Sequence, residues 1–123
     1  MLDEFCTSLS CIDGRVQEPL LRYIKDTYRC SYVDTVTGPG MDGALAKGDD
    51  TDRVLEATRI SVDKHGSRHI IISGHYDCAG FPVDESVHRR SIKEAVATVK
   101  SWNLNADVSG VWVNDRWQIE KVV

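Results

Sequence analysis

Arg68-His69-Ile70-Ile71-Ile72-Ser73-Gly74-His75-Tyr76-Asp77-Cys78 is the stretch that decides the fold. Its three consecutive isoleucines are β-branched. A continuous apolar run of this kind suits a central parallel strand covered on both faces. The run predicts a strand over 68–73 that leads straight into Gly74-His75. His75 and Cys78 therefore lie at or just past the strand's carboxyl end.

The other segments supply the partners such a strand needs. Phe5 to Ile12 reads as a first strand ending in the turn signal Asp13-Gly14, which puts Cys11 at a second carboxyl strand end. Gln17 to about Cys30 reads as a helix with Pro19 in its first turn and Leu20, Leu21, Ile24 and Tyr28 on one apolar face. Ser31 to Val36 alternates and predicts the second strand. Thr37-Gly-Pro-Gly-Met-Asp-Gly43 reads as a tight Gly-rich loop, placed where it can wall a site at the sheet edge. It has neither the ending of a phosphate-binding loop nor a dinucleotide fingerprint. The acidic run Gly48 to Asp52 is expected to cap a helix running from about Asp52 to Lys64, closed by His65-Gly66. A third helix is expected from about Asp84 to Trp102, with Ile92, Ala95, Val96, Val99 and Trp102 on one face. Val108 to Val113 and Trp117 to Val122 read as two strands joined by a tight turn at Asn114-Asp115.

The order βαβαβαββ implies an α/β fold. A mainly parallel sheet of about four strands carries an antiparallel edge strand and has helices on both faces. Crossovers are expected to be right-handed. Ligands in such folds bind beyond the carboxyl strand ends, where the strand order reverses. Cys11 and the His75–Cys78 turn meet there if the first and third strands are neighbours.

Length and composition narrow the class. A chain of 123 residues predicts a single domain over 1–123. With 41% apolar and 28% charged residues, it has the composition of a soluble protein with its own core. A net charge of −4 with no dense basic stretch argues against nucleic acid as a partner. No apolar run approaches the ~20 residues a membrane helix needs. Met1 to Phe5 lacks a basic start and a signal-type apolar core, so a cytoplasmic location is expected. Without a sign of secretion, the four cysteines point to metal binding or burial rather than disulfides.

Cys11, His75 and Cys78 together offer two thiolates and one imidazole, a zinc (Zn2+) ligand set with one position left for water. Cys6 and Cys30 have no possible ligand residue at the short His-x-x-Cys spacing and read as buried core thiols. A zinc ion would make hydroxide available near neutral pH, and that hydroxide needs orienting. Asp13 could accept its hydrogen bond, and a bidentate pair with Arg15 would keep Asp13 off the metal. If the pair opened, Asp13 could close the site as a fourth ligand. His88 is the best placed of the remaining histidines for proton transfer, although a solvated surface position is the stronger expectation. Trp102, Trp112 and Trp117 read as core or interface aromatics without chemistry. Asp77 reads as a turn residue bonding nearby amides.

Cys11-x-Asp13-x-Arg15, followed distantly by Gly74-His75-x-x-Cys78, resembles the β-class carbonic anhydrase family, with Val16 and Pro19 in a similar neighbourhood. The resemblance implies zinc held by Cys11, His75 and Cys78, with Asp13 and Arg15 as the catalytic dyad. It implies reversible hydration of carbon dioxide to bicarbonate, and a homodimer or an assembly of dimers. The chain departs from the family in three ways. It is short and without the long N-terminal arm, it has Thr37–Gly43 where an Arg-x-Ala-Gly-Asn-like stretch is usual, and it has Ala79 where Gly is usual. Two other readings stay open. One is a non-catalytic zinc protein with Asp13 as fourth ligand. The other is a hydrolase of a related electrophile such as carbonyl sulfide.

Overall fold

A computed structural model describes residues 4–123. Met1–Asp3, part of the segment read above as lacking a signal sequence, lie outside the described residues. Among the described residues the order is β1 (Phe5–Ser10), α1 (Gly14–Tyr28), β2 (Tyr32–Thr37), α2 (Met41–Lys47), α3 (Thr51–Asp63), β3 (His69–His75), α4 (Glu85–Lys100), β4 (Asp107–Val113) and β5 (Ile119–Lys121). The strands form one sheet in the order β2-β1-β3-β4-β5. The first four are parallel and β5 is antiparallel at the edge. The expected α/β architecture is the one observed.

β1 pairs directly with β3, Thr7 opposite Ile70 and Leu9 opposite Ile72. From β1 the chain goes to β2 on one side, then to β3 and β4 on the other. The reversal of strand order therefore falls between β1 and β3, where a crevice opens at the carboxyl ends.

The isoleucine run is buried on both faces because its side chains alternate. Ile70 and Ile72 join Leu9, Met41, Leu45, Val54, Val62, Ala95, Val96 and Val99 under α2, α3 and α4. Ile71 points the other way, into Cys6, Val16, Leu20, Ile24, Cys30, Val111 and Val113 under α1. Cys6 and Cys30 are thus buried in the core. The Thr7 hydroxyl, fully buried on β1, bonds the Ser61 and Ser67 hydroxyls at 2.7 and 2.8 Å.

Several expectations need correcting. The first helix begins at Gly14 rather than Gln17, because Asp13 caps it with its carboxylate on the Arg15 amide. Pro19 consequently sits inside the helix rather than in its first turn. The Gly-rich stretch is a loop only as far as Gly40, beyond which Met41–Lys47 forms the unanticipated α2. The acidic run does not cap α3 with a side chain. Asp50 stands at φ +54° and turns its carboxylate to Arg53 Nε at 2.8 Å. His88 is not a solvated surface residue. It is 1% exposed and lies on the same buried stripe as Ile92, Ala95 and Val99.

Candidate metal centre

Three structural facts bring the site residues together. Cys11 follows β1 directly, His75 is the last residue of β3, and Cys78 closes the turn after it. Since β1 and β3 are neighbours, the two carboxyl ends meet. The Cys11 and Cys78 sulfurs lie 4.0 Å apart. The three possible ligand atoms of Cys11, His75 and Cys78 all lie within 4.8 Å of one another, and all three residues are buried. Two thiolates on one tetrahedral zinc stand ~3.8 Å apart, so the sulfur separation fits a shared ion.

The imidazole is pre-oriented. His75 Nδ1–H donates to the Tyr76 carbonyl at 2.7 Å. That bond fixes the tautomer and leaves Nε2 as the free acceptor. Nε2 is buried and has no hydrogen-bond partner among the described residues. A buried imidazole nitrogen without a partner is costly, and a metal ion between it and the two sulfurs would satisfy it.

The electrostatics favour a charged sulfur here. The Cys78 thiol donates to Cys11 and holds the Cys11 pKa well below the usual thiol range against the effect of burial, with further help from His75 and from the Gly40 and Asp13 amides. Cys78 is pushed up in turn, first by that bond with Cys11 and then by burial, although the Phe81 and Gly80 amides oppose the rise. Burial works against the His75 cation, yet Cys11, the Tyr76 carbonyl and Asp13 together raise its pKa. Backbone amides from both loops therefore face the sulfurs, as they do where a thiolate is to be held.

Asp13 stands beside this group. Its Oδ2 is 4.0 Å from His75 Nε2. Its carboxylate accepts from the Arg15 amide at 2.9 Å, from Nε at 3.1 and 3.3 Å, and from Nη2 at 2.7 Å. The Arg15 guanidinium is the main reason that the Asp13 pKa falls to about 2, and Asp13 in turn raises that of Arg15. The predicted pairing of Asp13 with Arg15 is present.

The Gly-rich loop does wall the site. Pro39 joins Cys11, Ile12, Asp13, Ala79 and Gly80 around a cavity of about 380 Å³. The loop is seated by backbone contact. A Cβ on Gly80 would lie 2.6 Å from Gly40 N, and Gly40 itself stands at φ +57°.

Several residues at the site were not anticipated. Asp77 is in the turn, at φ +57°, but its carboxylate takes Arg15 Nη1 at 3.2 Å. Trp117 lies under the same guanidinium, 4.6 Å from Cζ to ring centre. Gln17 ties the strand end to α1 through the Cys11 carbonyl at 2.8 Å. His88 Nδ1–H donates to Asp42 Oδ2 at 2.7 Å, both side chains 1% exposed. That pair packs against Gly74, next to His75.

The fold and site thus define an α/β protein with a possible Cys/His/Cys metal group at its switch point. The family described as "Putative carbonic anhydrase" matches residues 1–123. The chain belongs to that family. Its fold is similar to a carbonic anhydrase from Streptococcus mutans, with a TM-score of 0.69 at 18% identity, covering 100% of this chain and 86% of that one. It is similar to a carbonic anhydrase from Glaciozyma antarctica, with a TM-score of 0.66 at 17% identity, covering 95% and 81%. It is also similar to one of two tetrameric beta-carbonic anhydrases from Sordaria macrospora, with a TM-score of 0.59 at 12% identity, covering 99% and 82%. At these identities the likeness is one of fold. No curated protein matches the chain in sequence. Among the described residues, no helix is long and apolar enough to cross a membrane.

Proposed function

We propose that this protein is a zinc-dependent carbonic anhydrase. It would convert carbon dioxide and water to bicarbonate and a proton, reversibly. The observation that carries the reading is the buried Cys11, His75 and Cys78 group with an Arg15-held carboxylate beside it. Cys11, His75 and Cys78 would hold the ion. Zinc, when bound, supplies a water acidified enough to act as a nucleophile near neutral pH.

The chain's own residues do the rest. Asp13 is an acceptor only, so it can take a hydrogen bond from the attacking water and aim a lone pair at the substrate. Arg15 occupies both Asp13 oxygens and keeps them from the metal. Ile12, Pro39 and Ala79 present apolar surface in the adjoining cavity, which suits a small uncharged substrate. Ile12, which lines that cavity, is 59% exposed, and Tyr76, in the turn after β3, is 49% exposed. Apolar groups placed there are consistent with a second subunit covering them, as a dimer or tetramer would.

The test is stopped-flow carbon dioxide hydration on protein of known zinc content. Wild type should be active, and Asp13→Ala should keep its zinc and lose about 100-fold or more in turnover, the scale of a lost orienting or proton-handling group. Full activity in Asp13→Ala would remove Asp13 from the mechanism. An inactive wild type with one zinc per chain would overturn the function and leave the metal group standing.

One observation favours a second reading. Asp13 Oδ2 lies near enough to His75 Nε2 that a modest side-chain rotation could bring it onto the same ion. A non-catalytic zinc protein would have a carboxylate oxygen on the metal at every pH by X-ray absorption. Carbonyl sulfide as substrate would be revealed by sulfide release.

A further inference from the structure

Arg15 has more anchors than Asp13 alone. Its Nη1 donates to Asp77 Oδ2 at 3.2 Å, and its Nη2 donates to the Asp77 carbonyl at 3.1 Å. The Trp117 ring lies against its face, with Cζ 4.6 Å from the ring centre. One edge of the guanidinium thus meets Asp13, the next meets Asp77, and a face meets Trp117. These anchors come from the β3–α4 loop and the β4–β5 hairpin, two places remote in sequence.

The hairpin is built to present that ring. Trp117 stands at φ +58°, a conformation unfavourable for a large L-residue. Its amide bonds the Asn114 carbonyl at 2.9 Å. Asn114 Oδ1 accepts from the Arg116 and Gln118 amides at 2.9 and 3.0 Å, and its Nδ2 donates to Glu120 at 2.8 Å. Glu120 is held in turn by Arg89 on α4 at 2.6 Å. Tyr76, next to the metal-facing His75, meets the Trp117 ring edge-on at 6.4 Å.

We propose that Trp117 and Asp77 are positioning residues of the dyad, holding Arg15 in place so that Asp13 stays on Arg15 and off the metal. The proposal rests on the reading of Cys11, His75 and Cys78 as metal ligands. The physical need is plain. The Arg15 side chain is 47% exposed, and exposed ion pairs are weak because water and side-chain entropy compete with them. An aromatic face excludes water from one side of the cation and attracts it. Asp77 fixes the far edge. A guanidinium held on two other sides remains available to Asp13 after any transient opening.

Two readouts test this, and neither is activity. The first uses the protein without metal and follows solvent exchange of the Arg15 Nε–H by nitrogen-15 NMR. Trp117→Leu should speed exchange about fivefold, the scale of one lost cation–π contact, and Trp117→Phe should restore slow exchange. The second is zinc-edge X-ray absorption on loaded protein. Trp117→Leu should add a carboxylate oxygen to the metal shell, an oxygen absent in wild type, in Trp117→Phe and in the double variant Trp117→Leu/Asp13→Ala. Unchanged exchange in Trp117→Leu overturns the proposal, whatever zinc does. A wild-type zinc shell without two sulfurs and one nitrogen overturns the metal reading instead, and the exchange experiment still judges the clamp. Should Trp117→Leu fail to fold, Asp77→Asn replaces it, with the same outcomes expected and the same result overturning the idea.

Discussion

Gly74 is the position where one added carbon has the clearest consequence. A Cβ there would lie 2.5 Å from Asp42 Oδ2, 2.9 Å from its Cγ and 3.2 Å from His88 Nδ1. The first two contacts are too short to survive, and neither partner can step aside into solvent, since both are 1% exposed. Gly74→Ala must therefore break the 2.7 Å bond between His88 and Asp42 or displace the end of β3. Breaking it strands a buried carboxylate, which costs roughly 2–4 kcal/mol. That is a large part of the ~5–15 kcal/mol a domain has, and for a chain of this size it lowers Tm by roughly 10 °C. The assay is urea unfolding of the metal-free protein, because bound metal would mask the loss by mass action. A double-mutant cycle isolates the cause. In an Asp42→Ala background the clash is gone, and Gly74→Ala should then cost under about 1 kcal/mol. An equal cost in both backgrounds, or a cost below ~1 kcal/mol in wild type, would refute the reasoning.

Two further outcomes follow from the same geometry. Asp13 has its folded-state pKa depressed from 3.8 to about 2, so its contribution is fully present above about pH 4 and is lost as the pH falls toward 2. The linkage limit is ~2.5 kcal/mol, and screening at half-exposed Arg15 leaves about 1 kcal/mol; metal-free Asp13→Asn should thus be less stable than wild type at pH 6 and nearly equal to it at pH 2, and a gap that does not narrow would sink the assignment. Thr7→Val removes the hydroxyl that bonds Ser61 on α3 and Ser67 in the loop after it, and it should cost about 1–3 kcal/mol in urea unfolding because Ser61 is left without this buried partner. Thr7→Ser should recover most of that, and a neutral Thr7→Val would mean the hydroxyls find other partners.

The sheet was legible because its signals are local and strong. The isoleucine run has the continuous β-branched pattern of an interior strand, and it is buried on both faces. The short helix α2 was not legible, because three glycines within six residues read as a loop. Their reason is tertiary. A Cβ on Gly43 would lie 2.8 Å from the Phe81 ring, and one on Gly40 would meet the Gly80 carbonyl oxygen at 2.8 Å. His88 had a signal that was outweighed by residue type. It stands four residues before Ile92 and seven before Ala95, on the buried stripe of α4, and spacing was the better guide than polarity. Asp77 and Trp117 gave no local sign of Arg15, since their partner lies across the fold.

Asp13 explains why the candidate site was readable when so much around it was not. It is the N-cap of α1 and the partner of Arg15 at once. An N-cap carboxylate accepts from the amide two or three residues on, and that amide here belongs to Arg15. The same turn carries the Arg15 side chain back over the carboxylate, so one helix start fixes both bonds. Cys11 precedes this cap at the end of β1, with one residue between. The Cys-x-Asp-x-Arg spacing is therefore the spacing of a strand end, a cap and a first helical turn. The positive end of the helix dipole adds to the attraction for the carboxylate. Chemistry written into a single strand-to-helix junction appears in sequence as a motif, whereas chemistry that depends on packing, such as Trp117 on Arg15, appears only once the chain is folded.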